Sequence, residues 1–299
     1  MKRFLKWLLI VFVSLAFIVL TSLIVVKASF EHRLNKQYSI ADEKLSYSND
    51  SLVLRRGHHI AEVTCQHCHG EHLEGTVFFN DPSLGQILAP NLTSGKGGIG
   101  SKYSTGDYVR AIRHGVRPGG YPLLIMPSED FTYLNDQDLA ALISYIRQVP
   151  PVSNALPPTH LKPLTKLLMG AGMFGPIISD ENIDHKMSVR SMVQPSVSSD
   201  YGSYLVATNG CRTCHGSNLG GGKSPDPNSP PVPNLTMGSI SVWKEADFVH
   251  AMHTGDRPGG QAKMSEYMPW KNMGRMTDDE LKAVWAYIQS VPKVAPKAE

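Results

Sequence analysis

Cys65-Gln66-His67-Cys68-His69-Gly70 is answered later in the chain by Cys211-Arg212-Thr213-Cys214-His215-Gly216, and these stretches hold all four cysteines of the 299-residue protein. The likeness spreads outward from them. His69-Gly70-x-x-Leu73-x-Gly75 matches His215-Gly216-x-x-Leu219-x-Gly221, and Pro90-Asn91-Leu92-Thr93 matches Pro233-Asn234-Leu235-Thr236. Gly115-x-Arg117-Pro118-Gly119-Gly120 recurs from Gly255 through Arg257 to Gly260, and Met126-Pro127 recurs as Met268-Pro269. Markers that return in one order define an internal duplication.

Each copy ends on a segment with helical punctuation. Asn135 and Thr277 are N-cap residues, and Thr277 with Glu280 fits a capping box. Leu139, Leu142, Ile143 and Ile146 keep helical spacing, as do Leu281, Val284, Trp285 and Ile288. Pro150 and Pro292 stop the two segments. Helices are also expected at Asp107–His114 and Asp247–His253, and near 52–64 and 199–209. With 26 glycines and 21 prolines for loops and no run of alternating strand residues, the predicted fold class is all-α. Its organisation reads as an anchor over 1–27, a linker over 28–51 and a first domain over 52–150. A connector over 151–196, a second domain over 197–292 and a tail over 293–299 follow.

Cys-x-x-Cys-His puts two thiols one helical turn apart with an imidazole directly behind them. That spacing suits two thioether bonds to haem vinyl groups and a proximal nitrogen on the iron, the signature of covalent c-type haem. The rival readings are weaker. A zinc site needs four ligands, and the two cysteine pairs fall in separate copies. A thioredoxin-like pair needs a βαβ setting, and disulfides would not need His69 and His215. The expected attachment residues are therefore Cys65, Cys68, Cys211 and Cys214, for two haem c groups, with His69 and His215 on the irons. Met126 is the candidate for the second axial position in the first copy, being the only methionine between Met1 and Met169. Of Met264, Met268, Met273 and Met276 the repeat selects Met268, which stands as far ahead of Leu281 as Met126 does of Leu139 and likewise precedes a proline. His114 is the rival to Met126, but it aligns with Thr254.

Lys2, Arg3 and Lys6 precede an uncharged run from Trp7 to Val26, long enough to cross a bilayer. A signal peptide would have a shorter apolar region, so the run reads as a retained anchor in contact with membrane lipid. Its positive flank places Met1 in the cytoplasm and the rest outside. The three residues account for the whole net charge of +3, and a neutral remainder argues against a nucleic-acid partner.

Each half resembles a class I cytochrome c domain, and the whole chain resembles membrane-anchored dihaem cytochromes c of bacteria, among them relatives of the cytochrome subunits of periplasmic alcohol, gluconate and fructose dehydrogenases. Those subunits typically carry three haems, against two attachment motifs here. The resemblance implies two tandem domains after a single-pass anchor in the inner membrane, on the periplasmic side. It implies a relay of electrons between a dehydrogenase or quinol-oxidising complex and a terminal acceptor such as an oxidase, rather than a catalyst. Arg117 and Arg257 become candidate haem-propionate contacts, beside the plainer reading of surface arginines in a glycine turn. The alternative function is a haem enzyme, a dihaem peroxidase or a thiosulfate-oxidising cytochrome, which needs an open iron where both copies offer methionine.

Overall fold

The computed structural model describes residues 2–186, 190, 192–224 and 229–295. Met1, parts of the expected connector (187–189 and 191), residues 225–228 of the second domain and the last four residues of the expected tail lie outside the described residues. The chain opens on α1 (Lys2–Leu34), an apolar helix whose side chains are exposed from Lys2 to Val25. Among the described residues it is the one helix long and apolar enough to cross a membrane, with a mean hydropathy of 3.0 in its most apolar window.

The first domain begins with α2 (Ser51–Thr64), capped by the Asp50 carboxylate, which accepts from the Leu52 and Val53 amides. A short α3 (Gln66–His69) follows, then a hairpin of β1 (Thr76–Asp81) and β2 (Gly85–Ala89). Next come α4 (Thr105–His114), the two-residue strands β3 (Val116–Arg117) and β4 (Tyr121–Pro122), α5 (Ser128–Phe131) and α6 (Asp136–Ile146). The predicted apolar stripe of α6 is the observed core face: Leu139, Leu142, Ile143 and Ile146 are all buried. Asn135 accepts from the Asp138 amide at 2.9 Å, as an N-cap should. Helix α6 lies across α2 at Gly57, where a Cβ would overlap the Ala141 carbonyl. Only glycine allows the two backbones to approach so closely.

The second domain repeats this plan. It consists of α8 (Ser199–Thr208), α9 (Cys211–His215), α10 (Glu245–Thr254), α11 (Trp270–Met273) and α12 (Asp278–Ser290), after the connector's β5 (His160–Leu161) and α7 (Pro163–Gly170). Helix α12 crosses α8 at Gly202, where a Cβ would overlap the Ala283 carbonyl. Thr277 and Glu280 form the expected capping box. The domain is mainly helical like the first, and the two share one apolar core that runs across their interface.

Three features depart from the sequence reading. The β1–β2 hairpin is unexpected, because Thr76-Val77-Phe78-Phe79 does not alternate. It is held from outside instead: Gly85 and Gln86 of β2 pair with Leu161 and His160 of β5, and Ile87 packs against Phe30 and Met169. Helix α1 continues past the expected end of the anchor to Leu34. The stretch expected as a linker is strapped onto the first domain, with Glu43 on Arg113 and His114, Asp42 on Arg110, and the Ser48 amide donating to Ser144 Oγ at 2.9 Å.

Candidate haem-binding sites

Each cysteine motif is a single turn of helix at the end of a longer one. The Cys65 amide bonds to the Ala61 carbonyl at the end of α2, and the Cys68 and His69 amides both point to the Cys65 carbonyl, at 3.2 and 3.0 Å. Gly70 and Gly216 end the two turns with φ of +85° and +81°. No disulfide joins any two of the four cysteines. Burial pushes the Cys65 thiol up to about 11 and the Cys211 thiol up to about 12.

The histidines are oriented identically. His69 Nδ1 lies 2.8 Å from the Pro90 carbonyl and His215 Nδ1 lies 2.9 Å from the Pro233 carbonyl. A carbonyl can only accept, so Nδ1 carries the proton and Nε2 presents its lone pair. Neither Nε2 has a hydrogen-bond partner among the described residues. Burial also lowers both imidazole pKa values, which keeps them neutral and able to bind a metal. A ligating histidine held by a carbonyl through its second nitrogen is the usual arrangement around iron.

The repeated loops explain why these carbonyls stand where they do. The Gly75 amide donates to the His69 carbonyl at 2.7 Å, and Gly221 does the same to His215 at 2.8 Å. A Cβ at either glycine would run into the amide of Asn91 or Asn234. Leu73 and Leu219 take left-handed backbone, φ +58° and +57°, at a cost of roughly 1–2 kcal/mol. Their fully buried side chains hold them there. Their carbonyls accept from the Leu92 and Leu235 amides at 2.8 and 2.9 Å. Asn91 and Asn234 complete the turn, each accepting from the amide two residues on and donating to a distant carbonyl, Val152 or Val294. The repeated Pro-Asn-Leu-Thr stands out in the sequence, but the role of its proline carbonyl emerges only in the fold. A signal for it exists, since proline stands in the same place ahead of asparagine in both copies.

Met126 and Met268 sit on matching turns. The Met126 carbonyl accepts from Ser128 N at 2.8 Å and the Met268 carbonyl from Trp270 N at 2.7 Å. Both side chains are half-buried against the main core. Ser179 of the connector also donates to the Met126 carbonyl, at 2.7 Å, which ties this turn to the segment between the domains. Met276 is buried in the core, and Met264 and Met273 pack half-buried against it. His114, the rival to Met126, is buried between Glu43 and His185.

Arg117 is exposed and lies over the Tyr121 ring at 5.5 Å. Arg257 is half-buried, and its backbone bridges to Gln261. Among the described residues no three His, Cys, Asp or Glu side chains converge as a metal site, so the motifs do not assemble a protein-only zinc centre. What each copy offers is two thiols, one imidazole nitrogen and one thioether, a set that fits haem c.

The sequence model of the cytochrome c family matches residues 54–150 and 199–292. That is more than half of the chain, and the protein belongs to the cytochrome c family; covalently bound haem c is the cofactor this membership implies. Three curated relatives are particularly similar. The fructose dehydrogenase cytochrome subunit of Gluconobacter japonicus is 26% identical over 281 residues, covering 82% of this chain and 54% of the relative. The cytochrome c subunit of the quinone-type alcohol dehydrogenase of Gluconacetobacter polyoxogenes is 25% identical over 276 residues, covering 83% and 58%. The gluconate 2-dehydrogenase cytochrome c subunit of Pantoea cypripedii is 27% identical over 296 residues, covering 85% and 62%. The chain thus spans little more than half the length of the curated relatives it matches.

Proposed function

We propose that this protein is a membrane-anchored dihaem cytochrome c that relays electrons for a dehydrogenase. Cys65 and Cys68 hold one haem, Cys211 and Cys214 the other. His69 and His215 bind the irons through Nε2, and Met126 and Met268 bind them through sulfur. The observation that carries this reading is the duplicated histidine geometry: two imidazoles, each beside a cysteine pair, each locked by a proline carbonyl with its other nitrogen unused. Bound in this way, haem c supplies one reversible electron per iron.

Residues 7–26 serve as the anchor in this reading, and the positive flank ahead of them supports two domains on the periplasmic side of a bacterial inner membrane. The names of the relatives support a dehydrogenase subunit as electron donor, with a quinol-oxidising complex or an oxidase as further redox partners. Arg117 and Arg257 remain candidates for the propionates, since no carboxylate of the protein pairs with either among the described ion pairs. The alternative of a dihaem peroxidase or thiosulfate-oxidising enzyme is not favoured, because the relatives are cytochrome subunits. A redox titration of the purified protein followed at the α-band tests the proposal. Two one-electron components with no high-spin fraction are expected. A high-spin iron that binds peroxide in the resting protein would overturn the relay reading.

A further inference from the structure

We propose that the connector helix α7 and the turn after it, residues 167–174, form a second contact with the bilayer beside the anchor. The inference rests on the reading of residues 7–26 as a membrane span. Helix α7 runs antiparallel along the last turns of α1. Lys166 Nζ pairs with Glu31 at 2.8 Å. Four residues on, Gly170 lies against Val26, with room there for no side chain: a Cβ would stand 2.8 Å from the Val26 carbonyl and 3.1 Å from Phe30 Cβ. Between them Met169 packs against Phe30, which is wholly buried.

This pairing fixes the direction of α7 relative to the membrane. Val26 is the last residue of the uncharged run, so the C-terminal end of α7 stands where α1 leaves the hydrocarbon. The chain beyond, Ala171-Gly172-Met173-Phe174, turns at that level, closed by the Gly172 amide on the Met169 carbonyl at 3.0 Å and the Met173 amide on Leu168 at 3.1 Å. From Leu167 to Ile178 there is no charged residue. Met173 is 55% exposed, an apolar side chain left without protein cover. Charge returns at the opposite end of α7, at Lys166 and Lys162. At a rise of about 1.5 Å per residue, Lys166 lies ~6 Å farther from the bilayer centre than Gly170, the distance between acyl chains and lipid phosphates. Apolar below and basic above is the pattern of an element seated in the interface. The Arg33–Glu181 bridge, with Nε 2.8 Å from the carboxylate, ties the returning chain to α1. The lipid contact would therefore orient the domains as well as tether them, and reach the Met126 turn through Ser179.

The test uses the full-length, haem-loaded protein in nanodiscs of phosphatidylcholine and phosphatidylglycerol that contain a phospholipid with a diazirine near the top of one acyl chain. After irradiation, lipid adducts are mapped by mass spectrometry. Adducts are expected on 7–26 and also on 167–174, and Met173→Asp, a change at an exposed site, should remove the second set and leave the first. Adducts on 7–26 alone would overturn the second contact, keep the anchor and leave the apolar turn for a protein partner. Adducts on 167–174 that survive Met173→Asp would also contradict it. Absence of both sets would instead overturn the anchor reading.

Discussion

Asp138 and Glu280 hold the same position in the two domains, and one guanidinium, that of Arg56, binds both. Its Nε and one terminal nitrogen each lie 2.8 Å from Asp138, and the other terminal nitrogen lies 3.1 Å from Glu280. The arrangement is a pseudo-two-fold. Arg56 corresponds to Tyr201, which donates to Glu280 at 3.2 Å, and His59 corresponds to Tyr204. His59 reaches across to Glu280 at 2.6 Å, and Tyr204 reaches across to Asp138 at 2.6 Å. Each carboxylate also accepts at the start of its own closing helix, from Asn135 or Thr277, so the interface and the helix caps are one network.

Removing Arg56 leaves two largely buried carboxylates side by side without their shared cation. Arg56→Met should cost on the order of 3 kcal/mol, read as a lower urea midpoint for the whole protein. An unchanged midpoint would mean that the tyrosines and His59 suffice to hold the interface.

The same network makes the interface acid-sensitive. Burial opposes ionisation of Glu280, but the hydrogen bond and charge of His59, the Thr277 amide and Arg56 outweigh it and hold the carboxyl at about 2, below its ordinary 4.5. A depressed folded-state value stabilises the fold above the ordinary value, and that stability is lost as pH falls toward 2. Denaturation midpoints measured from pH 6 downward should therefore fall more steeply in the native protein than in Glu280→Gln. Parallel curves would show that Glu280 is not the responsible group.

Much of this was legible in the sequence because it was written twice. The pairing of the cysteine motifs and the proposal of Met268 came from aligning one copy on the other, the proposal of Met126 from its being the lone methionine of its copy, and both closing helices from their caps and apolar spacing. The close helix crossings at Gly57 and Gly202 emerged only in the fold, where a Cβ at either would overlap the carbonyl of Ala141 or Ala283. What stayed hidden occurs once. Arg56 aligns with Tyr201 and His59 with Tyr204, so the interface presents unlike residues to the repeat. The β1–β2 hairpin depends on β5 and on Phe30, far apart in the chain, and no local pattern announces it. His59 meets Glu280 at 2.6 Å, a contact that only the docked domains create.

Asp130 is a second carboxyl set by the interface, with the opposite sign. It sits on α5 of the first domain against the second domain's cysteine motif, accepting from Thr213 at 2.8 Å. Burial raises its pKa to about 7 despite that hydrogen bond. A raised acid is a burden that is absent below the ordinary value of 3.8, grows as pH rises and is complete above about 7. Asp130→Asn keeps an acceptor for Thr213 and should raise the thermal midpoint at pH 8 but leave it unchanged at pH 4. Equal effects at both pH values would assign the gain to packing.

The methionines of the second domain separate ligation from packing. Met268→Ala should remove the sulfur-to-iron charge-transfer band of one haem and open that iron to carbon monoxide. Met276→Ala should leave both irons six-coordinate yet destabilise the fold by about 2–5 kcal/mol, as loss of a buried side chain does; Met276 is only 4% exposed. If Met276→Ala opens an iron and Met268→Ala does not, the alignment of the two copies is wrong.

On the function proposed above, both cysteine pairs carry haem. The most direct measurement is the mass of the intact mature chain, expressed with an export and haem-attachment system, beside its pyridine haemochrome content. The expected result is a chain heavier by two haem groups with no alkylatable thiol, and by one in the double variant Cys211→Ala, Cys214→Ala. A mature chain with a single haem, or with two alkylatable thiols at either motif, would contradict it.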